Sequence, residues 1–171
     1  MLITTSQTIG PFSHEAWDWA VQASAAATLE TSARTITVQG AVYDGDGVAV
    51  SDAMIEAWLP NGASAEAAQA LPGFRRVPSD EQGRFSLRIS LPLTGHGEPA
   101  CYITVFARGL VKHQFSAVFL DDDSALAQSA ILNQVPAARR ATLIARRQDD
   151  ASYHWDIRMQ GADETVFFDY V

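Results

Sequence analysis

The feature that most constrains this chain is a hydrophobic period of two that recurs along its length. Ile36, Val38 and Val42 are apolar while Thr35, Thr37 and Gln39 between them are polar, and the turn sequence Asp44-Gly45-Asp46-Gly47 follows. Ala53, Ile55, Ala57 and Leu59 alternate with Met54, Glu56 and Trp58. Phe85, Leu87, Ile89 and Leu91 alternate with Ser86, Arg88 and Ser90 after the turn signal Ser79–Gly83. In a pleated strand successive side chains point to opposite faces, so each run places one side in a core and the other outside it. Further strands are expected at Cys101–Arg108, Phe115–Leu120, Thr142–Arg147, Ser152–Met159 and Thr165–Asp169. Short strands separated by Gly, Pro and Asp turns, with no alternation of strand and helix, predict an all-β fold: an antiparallel β-sandwich of about eight strands.

Few short helices are expected beside it. Ser13–Leu29 has Ser13 as a cap and Glu15 in its first turn. Asp121-Asp122-Asp123 followed by Ser124–Leu132 reads as a short capped helix, and Asn61–Leu71 as an irregular loop or a marginal helix. The organisation expected is an N-terminal arm over residues 1–34 and one β-sandwich domain over 35–171. No repeat or linker divides the 171 residues further, and 47% hydrophobic content is enough for one core.

Charge excludes some functions. The chain carries a net −8 and no run of Lys or Arg beyond Arg139-Arg140 and Arg146-Arg147. A duplex-binding face must displace counterions from phosphates, so no nucleic-acid partner is expected, and no anionic membrane surface either. A small anionic ligand stays possible, because one arginine outweighs the global field at contact distance. Cys101 is the only cysteine, so no internal disulfide forms. The first six residues lack a basic, apolar leader, and nothing approaches the ~20 apolar residues of a membrane span. The expected location is the cytoplasm.

The residues by themselves show no self-sufficient catalytic centre. His14, His96, His113 and His154 never pair at a metal-binding spacing, and surface or capping roles suit them better. Cys101, apolar on both sides within a strand, reads as a small core residue. Most carboxylates sit at turns, where Asp bonds its own backbone. Asp44-Gly45-Asp46-Gly47 begins like a calcium loop but lacks the remaining ligands.

Several segments, in order, resemble a known family. Thr5-Ser6-Gln7-Thr8-Ile9-Gly10-Pro11-Phe12 is similar to the N-terminal signature of intradiol aromatic-ring dioxygenase subunits. Gln39–Gly47 and Asp52–Trp58 resemble that family's first core hairpin. Val105-Phe106-Ala107-Arg108-Gly109-Leu110, residues 137–145, Asp156–Gly161 and Glu164–Asp169 continue the match, the last two resembling its α chain.

The resemblance implies a hetero-oligomer of α–β units in which a ferric non-heme iron sits on the β chain, held by two tyrosines and two histidines. It implies opening of protocatechuate by O2 between its hydroxyl-bearing carbons to 3-carboxy-cis,cis-muconate, in the β-ketoadipate route of aromatic catabolism. This sequence departs from the metal pattern at every ligand. The tyrosines would fall at Gly62-Ala63-Ser64 and near Leu93-Thr94, and the His-x-His pair at Ala100-Cys101-Tyr102. No metal ligand and no catalytic residue is therefore expected on this chain. Substrate contact is implied for Thr8, Gly10 and Pro11 of the arm and for Arg108. Arg suits a carboxylated ring because its fork bonds carboxylate and its plane stacks on aromatics; Gly10-Pro11 suits close backbone approach. Two bland readings stay open: a structural salt bridge for Arg108, and a plain leading loop for Thr8–Pro11. The alternative for the whole chain is a metal-free, transthyretin-like binding or assembly module.

Overall fold

A computed structural model describes residues 18–25, 33–60, 70–92 and 97–169. Among the described residues, nine strands follow helix α1 (Asp18–Ala25). They are β1 (Ala33–Tyr43), β2 (Met54–Trp58), β3 (Phe74–Pro78), β4 (Arg84–Pro92), β5 (Cys101–Phe106), β6 (Gln114–Leu120), β7 (Ile144–Arg147), β8 (Ser152–His154) and β9 (Ile157–Arg158). Their order is β3-β2-β5-β6-β7-β8-β1-β4, with β9 beside β1. The all-β sandwich read from the alternation is what forms. The period-two residues Ile36, Val38, Val42, Ile55, Ala57, Leu87, Ile89, Ile103 and Val105 meet in one buried core between the two halves of the sheet.

The sheet is mixed, not purely antiparallel. β1 pairs antiparallel with β4 and parallel with β8 and β9, and β6 runs parallel to β7. A parallel pair needs a long crossover. Residues 121–143 supply it, lying over the outer face of β6, so β6 is buried on both sides: Val118 in the main core, Ala117 and Phe119 in a second cluster with Leu132, Val135 and Leu143.

The helix expected over Ser124–Leu132 is replaced by 3₁₀ turns at Leu126–Gln128 and Leu132–Gln134, then Ala137–Leu143. Asp123 ties the chain down, its two oxygens accepting from Ala125 N (2.8 Å) and Gly97 N (2.9 Å). Leu132 and Val135, three residues apart, then both face β6, a spacing that suits the tighter 3₁₀ period.

Strand β3 was not expected, because Phe74-Arg75-Arg76-Val77 sets an arginine on each face. Arg75 is buried (3% exposed). Its Nε donates to the Arg88 carbonyl of β4 (2.8 Å), so it stitches the two edges of the curled sheet together. Arg76 turns outward onto Glu56 of β2 (Nε to Oε1 2.9 Å). The residues expected as strand Thr165–Asp169 form only an isolated bridge, Phe115 with Phe168. Ser152–Met159 keeps the expected facing, with Tyr153, Trp155 and Ile157 buried, but breaks into β8 and β9 at Trp155-Asp156. There the Asp156 carboxylate accepts from Ala41 N (3.0 Å).

Of the expected helix Ser13–Leu29, Asp18–Ala25 is helical. It packs on β3, where Ser24 Oγ accepts from Arg76 N (3.2 Å). The rest of that stretch, Thr8, Gly10, Pro11, His14, His96 and residues 61–69 lie outside the described residues.

Candidate functional site

Strand β5 lies between the two ends of the candidate site. Its inward side chains Cys101, Ile103 and Val105 belong to the core, and Tyr102, Thr104 and Phe106 lie on the opposite face. Burial pushes the Cys101 thiol up to about 12. It is expected to resist a thiol reagent at pH 8 in the folded chain and to react fully in denaturant; rapid labelling of native protein would contradict its core role. The unfolded thiol titrates near its ordinary value of 9.0, so between there and about 12 rising pH favours the unfolded chain.

At the start of β5, Tyr102 lines a cavity of about 660 Å³, walled also by Ile131, Gln134, Val135, Pro136, Val166 and Phe168. Hydrogen bonds hold the walls in place. Ser116 Oγ donates to the Val166 carbonyl (2.9 Å), Val166 N donates to Thr142 Oγ1 (3.1 Å), and Trp155 Nε1 donates to the Thr142 carbonyl (2.8 Å). Arg140 Nε donates to the Val135 carbonyl (2.9 Å).

This is where the His-x-His pair would fall, and the residues present do not fit a ferric ion. Ala100 offers a buried methyl group. Tyr102 offers one phenol and Gln134 one neutral amide among otherwise apolar walls, without the imidazoles and second tyrosinate of the ligand set that the resemblance implies. Among the described residues no group of three or more His, Cys, Asp or Glu is placed to hold a metal; Ala63 and Thr94 lie outside them.

Arg108 stands past the other end of β5. The expected strand Cys101–Arg108 stops at Phe106, and Arg108 lies in the turn closed by Leu110 N donating to the Ala107 carbonyl (3.2 Å). Gly109 takes φ 90° there, a left-handed value that favours glycine. Most of the length of β5 therefore separates Arg108 from Tyr102. Its side chain is 71% exposed, and its Nε approaches Asp52 Oδ2 to 2.6 Å. On the same β5–β6 connection, Lys112 pairs with Asp169 (2.6 Å), and His113 stacks between Phe106 and Phe115 with centroids 5.2 and 4.6 Å away.

The other sequence candidates find structural partners. His154 Nε2 lies 3.1 Å from Asp156 Oδ1. Asp44 Oδ1 accepts from the N–H groups of Asp46 and Val48 (2.9 and 2.8 Å), which is turn chemistry. The residue that sequence reasoning missed is Asp52, quoted only as part of a motif. No local pattern marks it as the partner of Arg108.

No family model matches the chain. The fold is shared with a solved catechol 1,2-dioxygenase from Acinetobacter sp. ADP1, at a TM-score of 0.55 and 18% identity, over 75% of this chain and 53% of that one. This likeness shows that the chain has the β-sandwich fold of that dioxygenase. Sequence narrows this further. The chain is 36% identical over 190 residues to the protocatechuate 3,4-dioxygenase alpha chain of Burkholderia cepacia, covering 97% of this chain and 96% of that one. It is 31% identical over 199 residues to the alpha chain of the same name from Pseudomonas putida, covering 98% and 96%. The chain belongs to the protocatechuate 3,4-dioxygenase alpha-chain family.

Proposed function

We propose that this chain is the iron-free subunit of a cytoplasmic protocatechuate 3,4-dioxygenase, completing an active site whose ferric ion lies on a partner β chain. That ion, bound on the partner, supplies the activation of catecholate and O2. The observation that carries the reading is the separation along β5. The end that would hold metal lacks the donors, and Arg108 stands past the other end of the strand, exposed on a turn where another chain can reach it. In this reading residues 1–34 form an arm, and Thr8, Gly10 and Pro11 line the partner's pocket. Arg108 supplies positive charge for the ring carboxylate. Val111 on the same connection (73% exposed) and Trp58 beside Tyr102 (51% exposed) are apolar surface that suits burial against a partner.

Arg108→Ala in the assembled enzyme tests this. A hydrogen bond to a charged group contributes roughly 1.5–3 kcal/mol, so kcat/KM for protocatechuate is expected to fall about ten- to a hundredfold. Catechol, which has no carboxylate, is expected to lose far less. An exposed ion pair such as Arg108–Asp52 contributes roughly 0–1 kcal/mol to stability, so the melting temperature is expected to move by a few degrees at most. Equal losses on both substrates, or failure to assemble, would retire the substrate role.

A further inference from the structure

Asp52 and Arg108 sit where the β2–β5 ladder would continue beyond its last paired residues. The antiparallel register pairs Met54 with Phe106, Glu56 with Thr104 and Trp58 with Tyr102. The ladder ends at Met54–Phe106; the same register carried two residues further would set Asp52 opposite Arg108, and their ion pair joins the two turns just past that end.

Asp52 is held by its neighbours. Ala53 N donates to Ser79 Oγ (2.9 Å), Ser79 N donates to the Ala53 carbonyl (2.8 Å), and Ser79 Oγ donates to the Val50 carbonyl (2.8 Å). Ser79 itself is buried. The backbone on both sides of Asp52 is therefore tied to the end of β3, and its carboxylate stands on that fixed stretch of chain. Arg108 is the opposite case: a long side chain, 71% exposed, on a turn. Its closest approach to Asp52 is through Nε, the guanidinium nitrogen nearest the stem. No other described residue pairs with the guanidinium.

We propose that Asp52 is a positioning residue for Arg108, holding the guanidinium by its stem side so that the terminal nitrogens are presented to a carboxylate bound in the partner's pocket. The inference rests on the reading of Arg108 given under Proposed function. An arginine left free must be ordered each time an anion binds. One anchored in advance has already met that cost, so affinity rises without any contact between Asp52 and the ligand.

The test uses the enzyme assembled with its partner chain, steady-state kinetics on protocatechuate and on catechol, and four variants. Asp52→Ala is expected to raise KM for protocatechuate about three- to tenfold, the range expected from immobilising one rotamer-rich side chain. Its kcat is expected to stay within about twofold on the same basis, with KM for catechol unchanged. Asp52→Asn, which keeps an acceptor oxygen in place, is expected to restore most of the loss. The double variant Asp52→Ala/Arg108→Ala is expected to be no worse than Arg108→Ala alone, because the acid acts only through the arginine. A purely structural role predicts instead that both substrates suffer together and that the double variant is worse than either single one. If Arg108→Ala is impaired but Asp52→Ala binds protocatechuate as well as or better than wild type, this inference fails and the substrate role of Arg108 stands. Asn as weak as Ala also overturns it. If Arg108→Ala is itself silent, the reading under Proposed function fails and takes this inference with it.

Discussion

Expressed without a partner chain, the protein is expected to consume no oxygen in the presence of protocatechuate and to purify without stoichiometric iron. The reason is the donor set on β5. Where the resemblance would put the histidine pair stand the Ala100 methyl group and the Tyr102 phenol, and the cavity around Tyr102 is walled by Ile131, Gln134, Val135, Pro136, Val166 and Phe168. A ferric ion moved there from water would find a phenol and a neutral amide in place of most of its solvent ligands, a strongly unfavourable exchange. Co-expression with a chain bearing two spaced tyrosines and a His-x-His is expected to give a coloured assembly that takes up oxygen on protocatechuate. The measurements are metal analysis, the visible spectrum and oxygen uptake, made on the lone chain and on the assembly. About one iron per lone chain, with tyrosinate-to-iron absorption and turnover, would overturn the proposed division of labour between this chain and a partner.

Gly40→Ala is expected to prevent normal folding or to lower the melting temperature by more than about 10 °C. Gly40 lies in β1 where β8 gives way to β9, and a Cβ built on it would stand 1.8 Å from the Trp155 carbonyl oxygen and 2.6 Å from its carbon. These are backbone atoms, fixed by Trp155 N donating to the Gln39 carbonyl (2.9 Å) and by Asp156 accepting from Ala41 N. Relieving the clash means parting β1 from the β8–β9 segment and opening the core around Trp155 and Ile157. Losses above about 4 kcal/mol come from disruptions of this kind, and in a domain of this size each kcal/mol moves the melting temperature by roughly 2–4 °C. Gly47→Ala is the control. Gly47 has φ 77° and nothing within 4 Å of a built Cβ, so only the left-handed strain of about 1–2 kcal/mol applies. A Gly40→Ala protein melting within about 3 °C of wild type, less than 2 kcal/mol by the same scale, would show that the β1–β8 seam is looser than its geometry indicates.

The candidate site was legible in unequal parts. Arg108 and the departures from the metal pattern stand out in the sequence as a motif match and motif differences, each confined to a few adjacent residues. The partner of Arg108 does not, because Asp52 meets it only when β2 and β5 lie side by side in one register. The cavity at Tyr102 was equally hidden. Its walls come from β5, from the crossover segment that folds back over β6, and from the residues around Val166 and Phe168, and no periodicity links the three.

The sequence by itself determined which side chains face the core, where the turns fall and that the fold is a β-sandwich. Each of these is a local property: the pleat alternates at every residue, and Asp44 and Asp80 bond N–H groups no more than four residues away. The tertiary structure decided the rest. It made β3 a strand, since two arginines on opposite faces are tolerable only when Arg88 and Glu56 arrive to satisfy them. It set β8 and β9 parallel to β1, and it turned an expected helix into 3₁₀ turns by clamping Asp123 to Gly97. In each case the deciding partner is remote in the chain, and a buried or half-buried polar group takes whatever conformation lets it reach that partner, because leaving it unsatisfied costs more than the local preference it overrides.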